Sequence, residues 1–146
     1  MNWFDEAKTI FNLPKPEHFT NFIHCDECAE HDATLLASDV DHIGLVELGN
    51  PGWDPICFCS VEGKQYYLPA MIRLAFDTMT SDFYFDQLLF HLELDGEDNV
   101  LFLSCSVTQR DFIVRFLTQM IETYAAEIER YCCADQALRV YEIWAQ

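Results

Sequence analysis

Between residues 112 and 128 the chain carries one continuous apolar stripe at helical spacing. Phe112, Ile113, Phe116, Leu117, Met120, Ile121, Tyr124 and Ile128 make up the stripe, and Asp111, Arg115, Glu122 and Glu129 lie outside it. Ser106, followed three residues later by Gln109, forms a capping-box pattern that starts this helix. A helix with one long apolar face is stable in water only when that face is covered, so the remaining chain has to fold onto it. With 146 residues, 51% of them hydrophobic, the chain has the material for one core, and residues 1–146 read as a single globular domain.

The other segments divide between helix and sheet. Trp3, Phe4, Ala7, Ile10 and Phe11 make a short amphipathic helix that ends before Pro14-Lys15-Pro16. A second helix runs from Asp26 to Leu36, with Asp26 and Glu27 suiting its positive end. Ala137, Val140, Tyr141 and Trp144 mark a last helix. The stretch ICFCSVEGKQYYL alternates around Glu62-Gly63 and predicts a small hairpin, with Pro69 as the first residue of the helix PAMIRLAFDTM. FDQLLFHLEL reads as helix passing into strand, DGEDN as a turn, and Val100 to Leu103 as the opposing strand. The expected class is therefore α+β: mainly helical, with a small antiparallel β element and a long C-terminal helix.

Twenty-five acids stand against eight lysines and arginines, a formal net charge of −17. Such a surface repels phosphate backbones, which argues against direct nucleic-acid binding; it attracts a basic protein and can imitate the phosphate array that such a protein recognises. The first residues lack the basic leader and apolar run of a signal peptide, and no segment approaches the roughly eighteen apolar residues of a membrane span. Seven cysteines, an odd number with Cys132 and Cys133 adjacent, do not suit a disulfide framework. These features point to the cytoplasm and to reduced thiols.

The densest chemistry is HCDECAEHD, residues 24–32. On a continuous helix His24, Cys28 and His31 share a narrow stripe; with Cys25 and Cys28 in a turn ahead of the helix, His31 follows one turn later as Cys-x2-Cys-x2-His. Zinc takes four nitrogen or sulfur ligands, and a short segment seldom supplies all of them, so Cys57 or Cys59 from a second segment is expected, with His24 and His42 as alternatives. The rival reading is an ordinary helix with Cys28 in its apolar face and both histidines partly exposed. A thiol enzyme is disfavoured, because Asp26, Glu27 and Glu30 should raise the Cys25 pKa. Glu27 or Glu30 beside a metal could serve a hydrolase, yet His-Glu-x2-His and other catalytic signatures are absent.

PEHFTNFIHCDECAEHDATL, ELGNPGWDPICF, YYLPAMIRLAF and DQLLFHL together resemble a family of short bacterial proteins known as a domain of unknown function. The resemblance runs from about Pro16 to the long C-terminal helix. It implies a bacterial setting, attaches no activity, singles out Trp53, and favours Cys25, Cys28, His31 and Cys57 as the ligands of a structural zinc. The expected function is that of a non-enzymatic acidic binding protein engaging a basic protein partner, as an immunity-type neutraliser or a nucleic-acid mimic. The alternative is a small metal-dependent hydrolase using the His24–His31 region.

Overall fold

The 17-residue helix Val61–Asp77 buries residues on every side, among them Tyr67, Leu68, Ala70, Met71, Ile72, Leu74 and Ala75, and the rest of the chain is arranged around it. The computed structural model describes residues 2–146 and contains nine α-helices joined by 3-10 turns, with no strand among the described residues. In chain order the helices are α1 (Trp3–Ile10), α2 (Asp26–Leu36), α3 (Leu45–Leu48), α4 (Val61–Asp77), α5 (Phe85–Glu93), α6 (Val100–Ser104), α7 (Val107–Thr123), α8 (Ala125–Arg130) and α9 (Ala134–Trp144). One side of α4 packs on α1 and another on α5 and α6; α7 joins α1 to α9, and α9 closes back on α5. One apolar cluster runs from Ala7 to Trp144 through all of these contacts.

The expected α+β class is corrected: the fold is all-helical. The predicted hairpin at ICFCSVEGKQYYL is a 3-10 turn, Pro55–Phe58, followed directly by the first turns of α4. Ser60 caps that helix, its hydroxyl accepting the Gly63 N–H at 3.2 Å, so the helix starts eight residues before Pro69 and takes the proline into its interior. Gly63 and Pro69 disfavour helix by about 1 and 3 kcal/mol. Burial of Tyr67, Leu68, Met71 and Ile72, each worth about 1.5–3 kcal/mol, outweighs that cost. Gly63 also has a packing reason: a Cβ there would lie 2.9 Å from Cδ1 of Phe19, a fully buried ring.

The second predicted strand pair is also helical. Residues 85–93 form α5 and residues 100–104 form α6, because Leu88, Leu89 and Leu92 bury one face of α5 while Leu101 and Phe102 bury α6. DGEDN is a turn as expected, but one that joins helices; Asp95 and Gly96 both take positive φ there, 67° and 58°. The long C-terminal helix starts at the predicted capping box of Ser106 and Gln109, then breaks at Tyr124, so Ile128 belongs to the separate helix α8. No helix of the described residues is long and apolar enough to cross a membrane.

The start of α2 is tied down from outside. Asp32, buried on that helix, accepts the N–H groups of Phe19 and Thr20 at 2.6 and 3.1 Å, and His18 Nδ1 lies 2.8 Å from its other oxygen. Thr20 returns a hydrogen bond from its hydroxyl to the carbonyl of Cys28 at 2.7 Å. This clamp holds residues 18–20 across α2 and sets the entry of the His24–Cys25 segment.

Candidate functional site

Cys25 is the N-cap of α2: its backbone is extended, and its sulfur accepts the N–H of Cys28 at 3.4 Å. One helical turn on, Cys28 turns its thiol back toward the cap. The two sulfurs lie 3.3 Å apart, and His24 Nδ1 is 3.7 Å from the Cys28 sulfur. Ligands of a tetrahedral zinc are separated by roughly 3.5–3.8 Å, so these three donors need only small movements to share one ion. The Cys25 thiol is lowered from its ordinary pKa, by the Cys28 N–H first, then by the Cys28 thiol and by His24. That reverses the direction expected from the neighbouring acids, because a helix N-terminus supplies N–H groups that the linear sequence does not show. The Cys28 thiol moves the other way, raised by its hydrogen bond with Cys25 and by burial.

Of the four expected ligands, Cys25 and Cys28 come together, with His24 as the third member of their group. His31 stands apart. It is fully buried one turn further along α2, stacked on Phe58 with ring centroids 4.6 Å apart and tilted against Trp53 at 4.5 Å. Neither of its ring nitrogens has a hydrogen-bond partner among the described residues, and Glu27 comes no closer than 3.6 Å. His31 serves as an aromatic plate beneath the Trp53 turn, and Trp53, half-exposed, is its lid.

Cys57 belongs to a second group, with Asp54 and His91. Asp54 is buried between two 3-10 turns; its Oδ1 accepts the Ile56 N–H at 3.0 Å, and its Oδ2 lies 2.7 Å from His91 Nε2, which donates to it. The Gln87 amide reaches both Asp54 and the Leu48 carbonyl, tying the turns to α5. Burial, followed by the Asp54 charge, raises the Cys57 thiol, so the cysteine is no activated nucleophile. Cys59 is pushed far above the ordinary range by burial. Exposed His42 pairs with Asp39 at 2.7 Å, away from both groups. All seven cysteines are free thiols.

Beside Asp54 opens a cavity of about 530 Å³, walled by Asp82, Asp86, Phe83, Phe90, Gln87 and Tyr131. Phe83 stacks face to face on Tyr131, centroids 4.0 Å apart and planes 7° from parallel. Burial in this wall raises the Asp86 carboxyl.

Neither motif nor spacing in the sequence singles out Asp54, His91 or this cavity. A histidine among the apolar positions of α5 signals a buried acceptor; nothing in the order of residues says that the acceptor lies 37 positions earlier. No family model matches the chain, and no curated protein or solved structure does either.

Proposed function

We propose that this is a non-enzymatic, cytosolic binding protein whose acidic surface engages a basic protein partner, in the manner of an immunity-type neutraliser or a mimic of nucleic acid. The supporting observation is how the few cations are spent. Lys15 donates to the carbonyls of Leu36 and Ser38 at the end of α2, Arg73 to Ile43, and Arg110 to Phe102. Lys64 is buried, Arg130 is exposed beside the Tyr131 ring, and among the described residues only Lys8, Arg115 and Arg139 pair with a carboxylate. Of the 25 acids, only Asp32 and Asp54 are buried among the described residues. The negative charge is therefore left facing solvent, where it steers a cationic surface into contact.

The reading includes a structural zinc on His24, Cys25 and Cys28. The ion would neutralise two thiolates and pin the loop ahead of α2 to its first turn. Its fourth ligand would come from water or from the partner.

The test is affinity purification from the native lysate at about 50 mM and about 500 mM salt, where the Debye length falls from roughly 14 to 4 Å. A stoichiometric basic protein that is retained at low salt and lost at high salt is the expected result. Recovery of no basic protein, or retention that ignores salt, overturns the proposal.

A further inference from the structure

Among the concave places on the acidic surface, the cavity between the Asp54 turn, the start of α5 and Tyr131 brings carboxylates and aromatic rings together. Asp82 and Asp86 stand at its rim four residues apart, and neither forms an ion pair among the described residues. Three aromatic residues share the wall with them: Phe83, stacked on Tyr131; Tyr131 itself, with the chain's own Arg130 guanidinium 5.8 Å from its ring centroid; and Phe90, 44% exposed. An adjoining hollow of about 380 Å³ shares Asp82, Gly49 and Gln87 with the cavity and is bordered by Tyr84. Tyr84 is 1% exposed, and its hydroxyl has no hydrogen-bond partner among the described residues.

The backbone is also held open at this wall. Phe83 takes a left-handed φ of 54°, a strained conformation for a bulky residue. Its N–H donates to the Thr78 carbonyl at 2.8 Å, and the next N–H, of Tyr84, donates to the Thr78 hydroxyl at 2.9 Å, which keep it there. Cys132, directly after Tyr131, is left-handed too, at 59°. Both aromatic residues of the stacked pair are thus presented by strained or strain-adjacent backbone.

We propose that this cavity receives an arginine side chain of the basic partner, its guanidinium laid against the aromatic wall and its N–H groups directed to Asp82 and Asp86. The inference rests on the acidic-surface reading and names where on that surface recognition is concentrated. A planar fork of donors suits two carboxylates beside ring faces better than an ammonium does. The volume falls within the 300–1,000 Å³ typical of specific sites, about right for a side chain entering with part of its neighbours. An entering cation also relieves the Asp86 carboxyl, which sits in this wall without a counter-charge.

The experiment measures binding of a fluorescein-labelled nona-arginine peptide by anisotropy at about 50 mM salt, for the full chain and three variants. Asp82→Asn/Asp86→Asn removes the two carboxylates; Phe90→Ala removes the ring without altering charge. Asp111→Asn/Glu122→Gln removes two charges from α7, outside the cavity. The proposal expects a loss of about tenfold or more in the first two variants and of under about threefold in the third. Equal losses in both double variants, or an unaffected Phe90→Ala, overturn the arginine pocket while leaving the acidic surface as a general attractor. A repeat with the unaltered protein at about 500 mM salt should abolish binding; no binding at about 50 mM, or binding that ignores salt, overturns the pocket and the broader reading together.

Discussion

Asp32 offers the sharpest test of how this fold is held. Its carboxylate accepts two backbone N–H groups, of Phe19 and Thr20, that are buried with it, and it pairs with the half-exposed His18. Asp32→Ala removes the acceptor and leaves both N–H groups without partners, at about 1–3 kcal/mol each. The His18 pair adds little, because that ring is exposed enough for water to screen it. The expected loss is about 4 kcal/mol, a large part of the 5–15 kcal/mol that a domain possesses. At a urea m-value of about 2 kcal/mol per molar, the unfolding midpoint falls by about 2 M with the slope unchanged. Asp32→Asn keeps one acceptor oxygen and should cost about half as much. A loss below about 1 kcal/mol in the alanine variant would refute the clamp.

The same residue makes a prediction about pH. Burial pushes the Asp32 carboxyl up, but His18 and the two N–H donors together outweigh burial and hold it below its ordinary value. A group whose pKa is lower in the folded than in the unfolded chain stabilises the fold above the unfolded value, near 4. That contribution disappears as pH falls through the lower, folded value. The stability gap between the unaltered protein and Asp32→Ala should therefore be constant at neutral pH and narrow below about pH 4. A gap that widens on acidification contradicts the sign.

Gly63→Ala gains about 1 kcal/mol of helix propensity but forces a Cβ to 2.9 Å from Phe19, an overpacking cost of about 1–3 kcal/mol; the melting temperature should fall, and a rise would show that Phe19 yields easily. Asp54→Ala strips the partner from fully buried His91 and the cap from Ile56, and should cost about 3 kcal/mol in urea unfolding, against less for Asp54→Asn. Protein purified without a metal-affinity tag should carry one zinc per chain by elemental analysis, and Cys25→Ser/Cys28→Ser should carry none and lose any response of its melting temperature to a chelator. Zinc retained by the double variant would place the ion elsewhere.

What was legible in the sequence followed from interactions between near neighbours. The stripe from Phe112 to Ile121, the capping box at Ser106, the span of α2 and the turn at DGEDN all depend on residues within a few positions of one another, and all are present. Local preference fails where distant contacts overrule it. Gly63 and Pro69 read as turn and helix start, yet α4 passes through both because its surroundings bury it on every side. The metal group shows the same division: Cys25, Cys28 and His24 meet through one helical turn, whereas the roles of His31 and Cys57 depend on the 3-10 turns at residues 51–58 settling between α2 and α5.

The amino-acid order alone determined the helical periods of the C-terminal third, the caps, the excess of acids and the clustering of thiols, because each is a property of composition or of spacing within about a turn. Only the tertiary structure decided that Asp54 meets His91, that Asp32 clamps Phe19, that His31 is sealed between two aromatic rings, and that Asp82, Asp86 and Tyr131 face one cavity. Those pairings join segments separated by up to about fifty positions. Their energies are released only when the whole core closes, so no local signal in the chain announces them.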